Sequence, residues 1–283
     1  MDALTELISL ALYEDSGLGD LTSESLLDRN EQGKGIIVAK EPFIVAGLDV
    51  AEKVFKTVDS TAATEALFPD GAPVSEGDTV FRVQGNLVSM LKGERVALNF
   101  VQRLSGIATL TRTYVERMDN PKVRLCDTRK TIPGWRVVEK AAVRAGGAFN
   151  HRMSLYDGIL IKDNHAAVAG GVKNAVLAVK SRVSHLMKIE VETSTLDEVK
   201  EAVAAGADVI MLDNMEIPEI EQAVDYIKGR AVVEASGNVT LENIARLAKT
   251  GVDVISSGAL THQARAVDMS MGITRGSAAC DGG

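Results

Sequence analysis

The chain has 283 residues, 46% hydrophobic and 25% charged, a composition that suits one large folded domain or two modest ones and excludes a disordered chain. Lys and Arg number 31 against 39 Asp and Glu, for a net charge of −8. With only 4% aromatic residues, that balance argues against a nucleic-acid binder, which needs a basic face and stacking rings, and taken alone it also argues against an anionic substrate.

At the N-terminus Leu4, Leu7, Ile8, Ala11 and Leu12 recur at helical spacing and predict a helix over 3–14, broken by Asp15-Ser16-Gly17-Leu18-Gly19-Asp20. Extended runs are expected at 35–39, 43–46 and 78–83, punctuated by Pro42, Gly47, Pro69, Gly71, Pro73, Gly77 and Gly85. This first third reads as a small α+β domain. A 3.6-residue period from Ala97 to Met118 predicts a helix over 93–118, bent or broken at Ser105-Gly106 and stopped by Pro121.

From residue 122 the pattern changes. Six apolar, β-branched runs (122–127, 158–162, 187–192, 208–213, 231–236 and 253–257) each end in a polar residue, with helix-like stretches between them. Strand, helix, strand at this spacing predicts βα units and a parallel sheet. Ala205-Gly206-Ala207-Asp208-Val209-Ile210 nearly repeats as Thr250-Gly251-Val252-Asp253-Val254-Ile255, 45 residues later, the length of two βα units in a β/α barrel. An open doubly wound sheet is the alternative, weakened because no GxGxxG follows a strand.

Cys126 and Cys280 are too few for a disulfide framework, and without CxxC or HExxH spacing no protein-held metal site is expected. The N-terminus has an acid at position 2 and no basic stretch, and no apolar run approaches the ~18 residues of a membrane span. The expectation is a cytoplasmic protein with no membrane partner.

A β/α barrel carries its active site at the C-terminal ends of its strands. There the sequence places Asp127 with Arg129 and Lys130, Lys162 with Asp163, Glu192, Asp213, Ser236-Gly237 and Ser257-Gly258. One polar strand end is ordinary surface; six in series suggest a site. The Ser-Gly turns after the last two strands suit a phosphate. Residues 92–162 hold 14 Lys and Arg against 6 Asp and Glu, a local balance of +8, leaving −16 for the remainder. Arg129, Lys130, His151, Arg152 and Lys162 lie in loops or at strand ends, where guanidinium forks suit carboxylates and phosphates. Glu192 and Asp213 could bind sugar hydroxyls, help hold magnesium through the substrate, or stabilise a developing positive charge. His165 and His185 read as structural or exposed. A phosphorylated sugar reacting with an acid fits this set. Two other readings are a Schiff-base aldolase or lyase using Lys162 and an idle scaffold that keeps the fold.

Asp127-Thr128-Arg129-Lys130-Thr131-Ile132-Pro133-Gly134, Gly146-Gly147-Ala148-Phe149-Asn150-His151-Arg152, Ile161-Lys162-Asp163-Asn164-His165, Glu190-Val191-Glu192, Met211-Leu212-Asp213-Asn214, Glu234-Ala235-Ser236-Gly237 and Ser257-Gly258-Ala259-Leu260-Thr261-His262 stand in this order. Together they closely resemble the quinolinate phosphoribosyltransferases, also called carboxylating nicotinate-nucleotide pyrophosphorylases, from about residue 10 to 272. The resemblance implies an α/β chain: an N-terminal α+β sandwich over 1–105, an incomplete β/α barrel of parallel strands over 106–264, and a tail, 265–283, that returns to the first domain. It implies transfer of phosphoribosyl from 5-phosphoribosyl-1-pyrophosphate to quinolinate with loss of CO2, in NAD biosynthesis. Mg²⁺ would be bound mainly through the donor. The implied assembly is a homodimer with shared active sites, alone or built into a hexamer. Arg129, His151 and Arg152 would hold the quinolinate carboxylates, with Arg95 reaching in from the partner subunit. Lys130 and Lys162 would contact quinolinate and the pyrophosphate end, and Glu192 and Asp213 the ribose. Ser236, Gly237, Asn238, Ser257 and Gly258 would hold the 5-phosphate. Of these, Lys130, Lys162, Glu192 and Asp213 are the catalytic candidates. The family usually has glycine where Asn238 stands, commonly Leu at Trp135 and Ser at Gln263.

Overall fold

A computed structural model describes residues 3–276. The end of the expected returning tail, 277–283 with Cys280, lies outside the described residues. The chain forms two compact units: Met1–Thr111 with Ile132–Gly147 and Ala264–Gly283, and Arg112–Thr131 with Ala148–Gln263. In chain order the elements begin with α1 (Ala3–Ser16), α2 (Leu21–Leu26), β1 (Gln32–Ala39), β2 (Phe43–Ile44), α3 (Leu48–Val58), β3 (Ala63–Ala66), β4 (Pro73–Val74) and β5 (Thr79–Asn86). They continue with α4 (Leu87–Met118), β6 (Arg124–Cys126), α5 (Arg136–Ala145), β7 (Ile159–Ile161), α6 (Asp163–Ala169), α7 (Val172–Lys180), β8 (Ile189–Thr193) and α8 (Leu196–Ala205). Last come β9 (Val209–Asp213), α9 (Ile217–Ile227), β10 (Val232–Ser236), α10 (Ile244–Leu247), β11 (Val254–Ser256), α11 (Ala259–His262) and β12 (Met269–Arg275).

The first unit is built on an antiparallel sheet in the order β12-β1-β5-β3, with β2 and β4 paired beside it in sequence as a two-stranded ribbon. β1 alternates exposed and buried residues, so Gly33, Gly35, Ile37 and Ala39 face the core. A Cβ on Gly33 would stand 2.6 Å from the Thr274 carbonyl oxygen, which is why glycine occupies this position beside β12. Helix α1 buries Ile8 and Leu12 from its predicted stripe. Helix α2 was not anticipated: Asp20 caps it, accepting from the amides of Thr22 and Ser23.

Helix α4 runs unbroken through Ser105-Gly106, so the chain does not break there as one of the two expectations had it. The pair serves close packing instead. Ser105 Oγ accepts the Ala46 amide and donates to the Ala46 carbonyl, and a Cβ on Gly106 would meet the Arg265 carbonyl oxygen at 1.9 Å. The segment 132–147 lies within the barrel's stretch of sequence but clusters with the first unit. Trp135 stacks on Phe100 with ring centroids 4.3 Å apart, and the buried Glu139 accepts from Arg103 at 2.6 and 2.8 Å.

The second unit carries six parallel strands in the order β6-β11-β10-β9-β8-β7. This is cyclic order with one seam, between β6 and β7: every other pair of sequential strands is joined, and the first strand lies beside the last. A doubly wound sheet would grow both ways from its centre, so the sheet is a β/α barrel left open at the seam. Phe149 bridges to Cys126 along the free side of β6. The near-repeat has a structural cause. Gly206 and Gly251 take left-handed φ values of 73° and 93°, turning the chain into the next strand. The aspartate two residues on then latches neighbouring strands. Asp208 Oδ2 accepts the Ile189 amide at 2.9 Å, and Asp253 Oδ2 accepts the Val233 amide at 2.8 Å.

Candidate active site

All six predicted strand ends fall at or within one residue of the C-terminal ends of β6 to β11. They surround a cleft of about 680 Å³ within the second unit. Arg129, Lys130, His151, Arg152, Lys162, Glu192, Asp213, Ser236, Gly237, Asn238, Ser257 and Gly258 all line it. Arg95 belongs to the first unit, exposed on α4, and is not among the lining residues.

One wall is cationic. Asp127, fully buried at the end of β6, accepts from Asn150 Nδ2 at 2.6 Å and from the His151 amide at 2.8 Å, so it fixes the loop that carries His151 and Arg152. Arg152 donates through Nη1 to the Gly158 carbonyl at 2.8 Å. Burial and then the nearby Arg129 lower the Arg152 pKa from its ordinary value. Arg129 Nε is buried with no hydrogen-bond partner among the described residues. Lys130 is exposed; the turn beneath it is held by its amide on Thr128 Oγ1 and by Thr261 Oγ1 donating to its carbonyl.

Carboxylates stand on the adjoining strands. Glu192 on β8 accepts from Lys162 Nζ at 2.7 Å. Asp213, at the end of β9, is pushed above the usual carboxylate range by burial and then by Glu192. The exposed, ion-paired setting of Lys162, whose side chain is 47% exposed, is unlike the desolvated amine of a Schiff-base enzyme.

The turns after β10 and β11 are tightly specified. Gly237 has φ 88°, and a Cβ there would stand 2.2 Å from Asn214 Oδ1. Asn238, where the family usually has glycine, takes φ 50°, a left-handed conformation asparagine tolerates. Its Nδ2 donates to Asn214 Oδ1 at 3.0 Å, and Asn214 Nδ2 donates to Asp213 Oδ2 at 2.9 Å, so the turn and the carboxylate are linked. Ser257 is buried, with its amide on the Cys126 carbonyl.

Sequence reasoning assigned no role to Glu190 and Glu234. Both are buried inside the barrel next to His151, whose Nε2 lies 3.2 Å from Glu190 Oε2 and 3.6 Å from Glu234 Oε1. Burial and then the charge of Glu190 push the Glu234 carboxyl up to about 7, with His151 acting the other way. The available signal was a glutamate in the interior of an otherwise apolar strand, two residues before Glu192 and two before Ser236. Asn214 was likewise named without a role. His165 and His185 are exposed, as read, and His165 Nδ1 accepts the Lys162 amide.

A barrel mouth with facing cations and carboxylates defines an enzyme acting on small anionic molecules. The chain belongs to the quinolinate phosphoribosyl transferase family: residues 20–105 match that family's N-terminal domain and residues 107–272 its C-terminal domain. It is 42% identical over 271 residues to a probable carboxylating nicotinate-nucleotide pyrophosphorylase of Bacillus subtilis, covering 96% of this chain and 93% of the relative. A Synechocystis relative with the same description is 45% identical over 267 residues, covering 93% and 90%. The solved nicotinate-nucleotide pyrophosphorylase of Francisella tularensis superposes with a TM-score of 0.91 at 41% identity, covering 96% of each chain. No helix of the described residues is long and apolar enough to cross a membrane.

Proposed function

We propose that this chain is a carboxylating nicotinate-nucleotide pyrophosphorylase. It transfers phosphoribosyl from 5-phosphoribosyl-1-pyrophosphate to quinolinate and releases pyrophosphate and CO2, leaving nicotinate mononucleotide for NAD biosynthesis. The observation that carries the reading is the cationic wall with its buried, partnerless Arg129 Nε, a donor that a substrate carboxylate would satisfy.

Arg129 and Arg152, with His151 beside them, hold the two quinolinate carboxylates. Lys130 and Lys162 reach quinolinate and the pyrophosphate end of the donor. Ser236, Gly237, Asn238, Ser257 and Gly258 cradle the 5-phosphate, and Glu192 and Asp213 take the ribose hydroxyls. As the C1–O bond to pyrophosphate breaks, the ribose becomes oxocarbenium-like and the two carboxylates stabilise it. The quinolinate nitrogen then bonds to C1. Its positive charge makes the ring an electron sink, so the adjacent carboxylate leaves as CO2, its bonding pair stays on the ring carbon, and a proton replaces it. Holding both reactants in fixed positions lowers the entropic cost of their encounter.

Magnesium fits as an ion carried by the donor, with no protein ligand assigned. Glu192 has one oxygen engaged by Lys162 and Asp213 one by Asn214; burial and then the Glu192 charge raise Asp213, and a cation on the donor's oxygens would relieve the second of these. When bound, the ion neutralises the pyrophosphate as it leaves. The assembly is a homodimer, alone or in a hexamer, in which the partner subunit's Arg95 completes the quinolinate site; the enzyme works in the cytoplasm.

Purified protein given quinolinate, the phosphoribosyl donor and Mg²⁺ should release CO2 and pyrophosphate, and omitting either substrate should abolish both. Nicotinate serves as the control. Turnover of nicotinate in place of quinolinate, or no product from either, sinks the reading.

A further inference from the structure

His151 has both ring nitrogens engaged inside the protein. Nδ1 accepts the amide N–H of Arg152 at 2.8 Å, so Nδ1 carries a lone pair and no proton. A neutral ring must then hold its proton on Nε2, which faces Glu190 at 3.2 Å and Glu234 at 3.6 Å. One ligand atom from each of the three residues lies within 4.8 Å of the others. Glu190 Oε1 and Glu234 Oε1 are buried with no hydrogen-bond partner among the described residues, and the Glu234 side chain is only 4% exposed. Two adjacent buried carboxylates beside a neutral imidazole cannot both stay ionised without a large electrostatic cost.

We propose that Glu190 and Glu234 are positioning residues that share one proton, clamp His151 as its neutral Nε2–H tautomer, and through the Nδ1 contact with the Arg152 amide set the Arg152 guanidinium in the cleft. The inference rests on the proposed quinolinate reading and deepens it: His151 acts on the substrate through Arg152 and brings no charge of its own. The loop is held from two sides, by Asp127 on the Asn150 side chain and His151 amide, and by the glutamate pair on the ring. The titratable and charged groups around the pair are His151, Arg152 and Asp157 from this loop, with Arg129 and Glu192 also acting on Arg152; the Ser256 hydroxyl of β11 bonds Glu234. The direction of the Glu234 shift agrees, since a protonated Glu234 leaves Glu190 as the single acceptor for Nε2–H.

The first test reads the tautomer directly. The chain has four histidines, so ¹⁵N-imidazole spectra near neutral pH can be assigned with a His151→Gln variant. The expected signal is a neutral ring protonated at Nε2. An imidazolium, or a ring protonated at Nδ1, overturns the proposal. The second test is kinetic. Glu190→Gln should raise the KM for quinolinate by about tenfold, the effect of losing roughly one charge-assisted hydrogen bond, with kcat and the KM for the phosphoribosyl donor changed far less. Glu234→Gln, which keeps a donor toward Glu190, should raise that KM less than Glu234→Ala. Equal increases for both substrates would mark general structural damage and overturn the proposal. The spectrum of the unsubstituted protein decides the tautomer even if Glu190→Gln does not fold. It is also independent of turnover, so failure of the quinolinate reading and failure of the clamp give different results.

Discussion

Burial and then the nearby Arg129 lower the Arg152 pKa, and two guanidinia held this close in a cleft are placed to meet an anion. Arg129→Ala should therefore cut kcat/KM for quinolinate about a hundredfold or more while leaving thermal stability near that of the unsubstituted protein, because repulsion is relieved as a donor is lost. Unchanged quinolinate turnover would remove Arg129 from the site. Glu234 makes a prediction of opposite kind, about stability. Its carboxyl ionises near 4.5 when unfolded and near 7 when folded, so the folded state binds the proton more tightly. Below the lower value both states are protonated and nothing is lost. As pH rises between the two values the unfolded chain releases its proton first and stability falls, a loss complete above the folded value. Urea unfolding at mildly acidic and mildly alkaline pH should show this fall in the unsubstituted protein and a smaller one in Glu234→Gln; equal slopes would contradict it. Both arginines were readable in the sequence because they stand in loops beside strand ends. The glutamate pair was not, since it takes β8, β10 and the loop that carries His151 together to bury the two carboxyls beside one imidazole.

Helix α4 shows how an element can be read correctly in period and wrongly in continuity. Its apolar stripe is local and visible, whereas the partners of Ser105 and Gly106, at Ala46 and Arg265, are far away in sequence. A Ser-Gly pair looks the same in sequence whether it is a hinge or a point of close backbone approach. Gly106→Ala should destabilise the protein by about 1–3 kcal/mol, since the new methyl group overlaps a backbone carbonyl that no side-chain rotation can move away. A melting temperature within a degree of the original would mean the contact yields easily. The short elements α2, β3 and β4 escaped for a different reason: six, four and two residues are too few to display a period. The six barrel strands, though some are as short, were legible because their β-branched runs and polar ends repeat at regular spacing, and repetition supplies what a single short run lacks.

For the whole molecule, the net charge of −8 would have argued against anionic ligands, yet the segment 92–162 alone carries +8. Net charge governs solubility and long-range steering, while the groups within a few ångströms decide what a cleft can hold. The proposed shared site adds a test at this scale. Arg95→Ala and Lys130→Ala should each be nearly inactive alone, and mixing them under conditions that exchange subunits should restore part of the activity, because one site of each mixed dimer receives both native residues. If mixing restores nothing, the site is contained in a single chain.

The alternation of β-branched runs with helical stretches, the Gly-x-Asp repeat and the polar residues ending each run are local features, and local backbone and side-chain preferences are enough to specify βα units with a reactive C-terminal rim. The sequence by itself therefore determined the parallel strands, their ends and twelve residues that meet in one cleft. Long-range pairing decided the rest: that β6 lies beside β11 and the barrel opens next to β7, that α5 packs with α4, and that Glu190 and Glu234 close around His151. These depend on which surfaces exclude water from one another, a property of the assembled chain that no window of sequence contains.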